Sequence, residues 1–466
     1  AKQLQKIRGK DISMIFQEPM TSLNPVQKCG QQVAEILKIH NICKNATNRV
    51  LELFDEVQLP NPQKIYNSYP HQISGGQRQR VMISMALACN PKLLIADEPT
   101  TALDVTVQKS ILKLLRTLQK THKMSVLFIT HDLGVISEIS DRVIVMYKGK
   151  IVEEFKSTDI PTGVQHPYSK GLIACKPPLH ERPEKLLTIN DFMSGTVEPS
   201  KSKEIMISPQ VPDKIDEILK VKNLNKYYTV GRKLNGKPSA YFKAVDNVSF
   251  SIYKGETFGL VGESGCGKTT LSRTLLNLLK PTSGEIVFDN KNTLNFDKKE
   301  LKIFRQQAQI IFQDPYSSLN PMMTVGRTLI EPMQVHRIGK NNAERKEMIM
   351  ELLEKTGLAH SDFNKYPHQF SGGQRQRIVI ARALTLKPQF IICDEAVSAL
   401  DVSVQAQVLN LLNDLKKEFQ LTYLFISHDW SVVKYMSDRI MVMQKGKIVE
   451  QGLADDIFYN PQQEYT

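Results

Sequence analysis

The strongest constraint on this chain of 466 residues is that one long pattern occurs in it twice. Ser-Gly-Gly-Gln, Asp-Glu after an apolar run, and His-Asp after another apolar run each appear in both halves. Their first residues are Ser74 and Ser371, Asp97 and Asp394, and His131 and His428, each pair 297 positions apart. A constant offset over so many residues indicates gene duplication, because stacked small repeats have periods of about 20 to 45 residues. We therefore expect two similar domains.

A glycine-rich segment in the second copy matches the pattern G-x-x-x-x-G-K-[ST]. It consists of Gly262, Glu263, Ser264, Gly265, Cys266, Gly267, Lys268 and Thr269, and Thr270 follows it. The apolar run Thr257–Val261 before it predicts a strand, and leucines at helical spacing predict a helix over 270–279. A strand, a glycine loop and a helix N-terminus together form a phosphate cradle, in which Lys268 neutralises phosphate charge and the Thr269 hydroxyl is a Mg²⁺ ligand.

Two acidic residues end an apolar run in each copy, Asp394 and Glu395 after one run and Asp97 and Glu98 after the other. Ligands bind at the carboxyl ends of parallel strands, so these acids are candidate site residues. The aspartates are predicted to hold Mg²⁺, and the glutamates are predicted to polarise the attacking water. Capping a helix is the alternative role of either aspartate.

Histidine and glutamine complete the set of candidate side chains. His131 and His428 each follow an apolar run and precede an aspartate, and their recurrence favours contact with a γ-phosphate over an ordinary surface position. Gln17 and Gln313 also follow apolar runs, and we expect them to join the metal and water shell.

Residues 156–215 lie between the two copies and are rich in Pro, Lys, Glu and Ser, which predicts a mostly irregular linker with short structured pieces. We therefore assign the first domain to 1–155 and the second to 216–466. The first copy has no glycine loop ahead of Gln17, and the last residues, 463–466, align with the His-Pro-Tyr segment at 166–169. We expect that this chain is a fragment of a longer parent that supplies the missing loop.

Composition narrows the classes of function. The net charge of +13 is compatible with nucleic acid or with an anionic membrane face, and equally with nucleotide-binding patches. Apolar runs are far shorter than the roughly 18 residues that cross a bilayer. None of the six cysteines form C-x-x-C pairs, so a zinc ribbon is unsupported and a reducing compartment fits.

The quoted motifs together resemble those of the ATP-binding cassette (ABC) ATPases, in which Ser-Gly-Gly-Gln is the signature sequence. The resemblance covers nearly the whole chain outside the linker. It implies an α/β fold of two RecA-like P-loop cassettes, each with a helical subdomain. It also implies that two ATP molecules with Mg²⁺ are held between head-to-tail cassettes, each by the glycine loop of one cassette and the signature of the other.

The resemblance assigns the following residues to the two expected sites. One site uses the loop at 262–269 with Gln313, Asp394, Glu395 and His428, and across the interface Ser74, Gly75, Gly76, Gln77 and Asp104. The other uses Gln17, Asp97, Glu98 and His131 with Ser371, Gly372, Gly373, Gln374 and Asp401. Tyr228 stands where the family places an aromatic that stacks on adenine, although a core tyrosine at a strand edge is an equal alternative.

Longer motifs resemble those of the dipeptide, oligopeptide and nickel importers. These are Phe-Gln-x-Pro-x-x-Ser-Leu-Asn-Pro after a strand, Tyr-Pro-His-Gln before the signature, and Ala-Leu-Asp-Val after the acidic pair of the first copy. The resemblance implies an ATP-hydrolysing subunit on the cytoplasmic face of the cell membrane, with two integral-membrane permeases and an extracytoplasmic solute-binding protein as partners. Some relatives hold an iron–sulfur cluster in this region, but Cys175 is the linker's single cysteine, so we expect no cluster.

The alternative function is that of a soluble tandem cassette that acts on ribosomes or DNA. Such proteins usually have a long charged helical linker or zinc-binding cysteines, whereas residues 156–215 are broken by prolines and poor in cysteine. We therefore favour the importer subunit and expect no nucleic-acid partner.

Overall fold

The computed structural model describes most of the chain, in two compact units, Ala1–Ser169 and Lys170–Thr466. The described ranges are 2–17, 22–100, 105–160, 163–195, 216–232 and 238–466. No helix within these ranges is long and apolar enough to cross a membrane.

The first unit contains a three-stranded parallel sheet, a separate antiparallel hairpin and several helices. In the sheet, β2 lies between β1 and β3, and β4 pairs with β5 in the hairpin. The strands are β1 (Ile12–Ile15), β2 (Leu93–Asp97), β3 (Ser125–Ile129), β4 (Arg142–Tyr147) and β5 (Lys150–Lys156). The helices are α1 (Lys2–Ile7), α2 (Cys29–Ile39), α3 (Ala46–Glu56), α4 (Pro62–Asn67), α5 (Gly75–Leu87), α6 (Val105–His122) and α7 (Leu133–Ile139).

The second unit contains a six-stranded sheet in the order β11-β12-β13-β8-β14-β15 and a four-stranded antiparallel sheet in the order β10-β9-β6-β7. Its strands are β6 (Glu217–Arg232), β7 (Pro238–Tyr253), β8 (Thr257–Val261), β9 (Ser283–Phe288), β10 (Lys291–Asn292), β11 (Ala308–Ile311), β12 (Phe390–Asp394), β13 (Thr422–Ile426), β14 (Arg439–Gln444) and β15 (Lys447–Leu453). The central strands β8, β12 and β13 are buried along their whole length, as expected for parallel strands covered on both faces.

Helices surround these sheets, and two short helices precede the second unit's first strand. The short ones are α8 (Pro167–Ala174) and α9 (Ile189–Met193). The others are α10 (Lys268–Leu275), α11 (Lys298–Gln307), α12 (Pro315–Ser318), α13 (Val325–His336), α14 (Asn342–Lys355), α15 (Gly372–Leu384), α16 (Val402–Phe419), α17 (Trp430–Met436) and α18 (Ala454–Tyr459).

The helix after the glycine loop is shorter than the 270–279 predicted from the spacing of leucines. It begins at Lys268, because Gly267 adopts the left-handed conformation that caps it, and it ends at Leu275. Asn277 has a φ of 53°, which is incompatible with a continuing α-helix. The leucines beyond 275 therefore lie outside the helix, and the prediction was wrong for that last turn.

Equivalent strands of the two units differ in how well they are covered. In the second unit β8 pairs with β13 on one side and with β14 on the other, and Leu424 and Met443 have no exposed surface. Their counterparts in the first unit, Leu127 on β3 and Met146 on β4, are 51% and 60% exposed. Within the described part of the first unit, β3 and β4 have no strand between them, which leaves these apolar side chains uncovered.

Residues from the stretch predicted as an irregular linker pack closely on the second unit. The side-chain amide of Asn410 on α16 accepts from the backbone N–H of Leu186 at 2.9 Å and donates to its carbonyl at 2.8 Å. The guanidinium of Arg182 donates to the carbonyl of Tyr435 at the end of α17 and contacts Asp438 at 3.4 Å. Hydrogen bonds of this kind fix an extended segment without regular secondary structure.

Replacing Asn410 by alanine should destabilise the second unit by about 1–3 kcal/mol. The change removes the side chain that pairs with the backbone N–H and carbonyl of Leu186. A buried backbone group without a hydrogen-bond partner destabilises the folded state by about 1–3 kcal/mol. The matched control is Lys417→Ala, which removes an ion pair to Glu184 of the same segment; both side chains are exposed, so the free energy of unfolding should change much less than in Asn410→Ala. Urea unfolding measures both, and equal losses in the two variants would contradict the assignment.

Candidate functional site

The glycine loop of the second unit connects β8 to α10, and its glycines are required by close packing. A Cβ on Gly262 would lie 2.3 Å from the carbonyl oxygen of Met443. Gly267 has a φ of 115°, and a Cβ there would lie 2.1 Å from the carbonyl oxygen of Ala244. Only glycine fits these two positions, so the loop can bend tightly between β8 and the N-terminus of α10.

Lys268 is buried and is bonded to the loop itself. Its ammonium group donates to the carbonyls of Gly262 at 2.7 Å and Glu263 at 3.0 Å. These bonds use two of the three N–H donors of the ammonium group and hold its positive charge against the loop. A phosphate placed there would meet both the lysine and the N-terminus of α10.

Glu395 follows β12 and is turned by an unusual backbone conformation. Its φ is 50°, and that of Glu98, the equivalent residue of the first unit, is 44°. Left-handed conformations are costly for residues other than glycine and concentrate at functional sites. Both glutamates therefore leave the strand conformation at the equivalent position.

Three side chains from separate elements converge on the Glu395 carboxylate. The side-chain amide of Gln313 donates to Oε2 at 2.8 Å, and Nδ1 of His428 lies 3.7 Å from the same oxygen. Nζ of Lys268 lies 3.9 Å from Oε1. The structure thus brings together Gln313, Glu395, His428 and the glycine-loop lysine, which are far apart in the sequence.

The first unit repeats the contacts of glutamine and histidine with glutamate. The side-chain amide of Gln17 donates to Oε2 of Glu98 at 2.6 Å, and Nδ1 of His131 lies 2.9 Å from Oε1. The aspartate after His131 caps the next helix: the Asp132 carboxylate accepts a hydrogen bond from the N–H of Gly134 on α7. The cap fixes the turn from which the histidine reaches the glutamate.

Charges around Glu395 set its protonation state. Burial by itself would raise the pKa of this carboxyl, but His428 and Lys268 outweigh it and lower the pKa below its ordinary value. Contact with the Glu395 carboxylate in turn raises the pKa of His428, despite the opposing effect of burial. Glu395 therefore carries its negative charge at neutral pH, which suits a group that orients water.

Asp394 has the features of a residue that holds a divalent cation. It is buried, and its Oδ2 accepts from the Ser272 hydroxyl at 3.1 Å. Its Oδ1 is buried with no hydrogen-bond partner among the described residues. Burial raises the pKa of this carboxyl. A cation beside Oδ1 would supply the missing partner, so the site fits Mg²⁺, with Thr269 and Gln313 as further oxygen donors.

The signature serines Ser74 and Ser371 cap the helices α5 and α15. Each side chain accepts from the N–H of a glutamine three residues on, Gln77 or Gln374. A Cβ on Gly373 would lie 2.2 Å from the Val404 side chain, so this glycine permits α15 to pack on α16. The first N–H groups of an α-helix have no partner within the helix, and on each of these helices the serine satisfies one of them.

Other predicted residues have structural roles or fall outside the described chain. Asp401 caps α16, with its carboxylate accepting from the N–H of Val404 at 3.0 Å. Tyr228 is partly exposed on β6 and pairs in register with Phe242, which borders a cavity of about 380 Å³ beside the loop residues 263–266. Asp104 lies outside the described residues.

Sequence reasoning missed two partners of the site. Ser272 stands one helical turn after Lys268, and this spacing on α10 could have indicated that both face the acidic pair. Tyr465 accepts a hydrogen bond from the glycine loop, and the alignment of 463–466 with 166–169 was its only signal in the sequence.

The sequence profile described as ABC transporter matches residues 2–101 and 245–398. Together with the glycine loop, the signature helices and the parallel sheets, this match places the chain in the ABC transporter family. The chain is an ATP-hydrolysing enzyme built from ATP-binding cassettes, and the predicted α/β fold and family are confirmed.

The relatives are similar over nearly the whole chain. The glutathione import ATP-binding protein GsiA of Pectobacterium atrosepticum is 46% identical over 475 residues, which span 99% of this chain and 74% of the relative. GsiA of Escherichia coli K12 is 47% identical over 470 residues, spanning 100% of this chain and 75% of the relative. A solved dimeric ATP-binding cassette in a post-hydrolysis state with ADP and phosphate is 32% identical, covers 51% of this chain and 98% of its own, and has a TM-score of 0.46.

Proposed function

We propose that this chain is the ATPase subunit of a membrane importer of glutathione, dipeptides or oligopeptides. The observation that carries the proposal is the Gln313–Glu395–His428 cluster beside the glycine loop. The similarity to proteins named for glutathione import supports the class of cargo. The chain would act on the cytoplasmic face of the membrane with two permeases and an extracytoplasmic solute-binding protein.

In the proposed reaction, this chain's residues bind and orient ATP and an attacking water. Backbone N–H groups of the 262–269 loop other than that of Glu263, together with the Lys268 ammonium, hold the β- and γ-phosphates. Glu395 accepts a hydrogen bond from the water and aligns it, and Gln313 and His428 keep the carboxylate in place. Thr269, Asp394 and Gln313 would hold Mg²⁺, and the bound ion would neutralise developing phosphate charge.

The proposal assigns equivalent roles to Gln17, Asp97, Glu98 and His131 of the first cassette. It also assigns the signature residues, Ser74 to Gln77 and Ser371 to Gln374, to the γ-phosphate bound by another cassette's loop. Two observations support this assignment: the Gln–Glu–His contact is repeated, and each signature serine caps the start of a helix, where unpaired N–H groups favour an anion. ATP would then hold cassettes together, and hydrolysis would release them.

Affinity purification from detergent-solubilised membranes tests the importer against the ribosomal or DNA alternative. The tagged chain should recover two membrane permeases and no ribosomal particles or DNA. Glutathione or dipeptides with their binding protein should stimulate ATP turnover of the recovered complex. Recovery of ribosomes or DNA without permeases would overturn the importer and favour the soluble tandem cassette.

The single tryptophan offers a direct report on the site. Trp430 begins α17 two residues after His428, and its ring lies 6.5 Å from that of Phe458. Because ATP would contact His428, Mg-ATP should change the emission intensity or wavelength of Trp430, and the Lys268→Ala variant should show no change. Unchanged emission under conditions where dialysis detects bound ATP would contradict the placement of His428.

A further inference from the structure

The last residues of the second unit contact the glycine loop. The Tyr465 hydroxyl accepts a hydrogen bond from the backbone N–H of Glu263 at 3.3 Å. Glu263 is the second residue of the loop, and its carbonyl accepts from Lys268 and from the N–H of Cys266. Both backbone polar groups of Glu263 are therefore engaged, and only the N–H is held from outside the loop.

A carboxylate on β15 seats the segment that carries Tyr465. Glu450 accepts from the backbone N–H groups of Gln462 at 2.7 Å and Gln463 at 3.3 Å. The Thr466 hydroxyl, and then the Gln462 N–H, lower the pKa of Glu450, so the carboxylate stays ionised and bonded at neutral pH. Charge-assisted bonds of this kind are stronger than neutral ones.

The first unit contains the same seat. Glu153, the counterpart of Glu450, accepts from the N–H groups of Gln165 at 2.6 Å and His166 at 3.2 Å. The ring of Tyr168, the counterpart of Tyr465, lies 4.4 Å from that of Tyr147. Because the glutamate contacts recur at the same offset in both units, we interpret them as a feature of the cassette fold.

We propose that Tyr465 is a positioning residue for the glycine loop, held in place by the Glu450 seat. The inference rests on the proposed function, because it assumes that 262–269 binds the phosphates of ATP. When Lys268 turns from the loop carbonyls to a phosphate, Glu263 loses one internal bond and keeps the bond to Tyr465. The tyrosine thereby preserves the shape of the loop at the moment when ATP enters.

The Tyr465→Phe variant tests this role, since it keeps the ring and removes only the hydroxyl. Titration of the full chain with a fluorescent ATP analogue should show affinity weaker by about three- to tenfold, as expected for one neutral hydrogen bond. At saturating ATP, kcat should stay within about twofold of the parent, because the bond holds the loop and touches no reacting atom. An affinity within twofold of the parent would overturn the proposal.

Two further variants separate positioning from general damage. Tyr168→Phe makes the same chemical change in the first unit, and it should leave the affinity of the 262–269 loop unchanged; an equal loss in this variant would overturn the proposal. Glu450→Ala should weaken ATP binding as Tyr465→Phe does, and the double variant should be no weaker than the worse single one. If the losses of ATP affinity in Glu450→Ala and Tyr465→Phe add up in the double variant, Glu450 does not act by holding Tyr465 in place.

The outcome for the proposed function is read separately. If the loop does not bind ATP, the parent chain itself fails to bind the analogue and Lys268→Ala changes nothing. If the loop binds ATP and Tyr465 has no role, Lys268→Ala abolishes binding while Tyr465→Phe behaves like the parent.

Discussion

The Glu395→Gln variant is expected to bind Mg-ATP as tightly as the parent chain and to hydrolyse it at least about 100-fold more slowly. A positioned general base contributes about 10²- to 10⁴-fold to a rate. Glutamine has nearly the same shape and can still bond to Gln313, but it lacks the negative charge that aligns and polarises water. ATP turnover measured under conditions in which the parent hydrolyses ATP checks the rate, and analogue titration checks the affinity.

The matched control is Glu347→Gln on the exposed surface of α14, which makes the same chemical change away from the site. It should leave both affinity and turnover at the parent level. A second measurement follows the bound nucleotide: in Glu395→Gln the recovered nucleotide should be ATP, since binding outlasts hydrolysis. Turnover within threefold of the parent would show that Glu395 does not orient the water.

The Lys268→Ala variant is expected to weaken ATP binding by roughly 100-fold or more. Lys268 is buried beside the loop carbonyls, where its ammonium group could donate hydrogen bonds to the phosphates of ATP. Each hydrogen bond to a charged group is worth about 1.5–3 kcal/mol. The variant also leaves the carbonyls of Gly262 and Glu263 without their lysine donor, so the empty loop should become less ordered. Analogue titration measures the affinity, and urea unfolding verifies that the unit remains folded.

Two further variants serve as controls for the loss of ATP affinity in Lys268→Ala. Lys298→Ala removes an exposed lysine at the start of α11 and should not change the affinity. Lys268→Arg keeps the charge but replaces the compact ammonium with a wider planar group, so it should restore only part of the binding. ATP affinity in Lys268→Ala equal to that of the parent would show that the loop is not the phosphate cradle.

Much of the fold was predictable because the apolar runs of this chain are short and sharply bounded. The strands predicted from the runs before Gly262 and before Asp394 are confirmed as β8 and β12. The helix after the loop was predicted to continue too far, because leucine spacing does not reveal that Asn277 leaves the helical conformation. The segment around Leu186 has no periodic pattern, so its packing against Asn410 could not be predicted from the sequence.

The sequence predicted which residues form the candidate site, but it did not predict the contacts between them. The repeat identified Gln313, Glu395 and His428, but the distances among them depend on how three strands align in the sheet. Their roles in catalysis remain predictions. Nothing in the order of the residues indicates that Glu395 adopts a positive φ or that Lys268 bonds to its own loop.

The sequence by itself determined the two copies, the cassette class, and the glycine, acidic and histidine residues of the site, because repetition and spacing are properties of the chain alone. Only the tertiary structure decided which carboxylate oxygen of Asp394 lacks a hydrogen-bond partner within the described parts of the chain, and that Tyr465 reaches the glycine loop. The physical reason is that burial and hydrogen bonding depend on neighbours that are distant in the sequence, and the chain acquires these neighbours only when it folds.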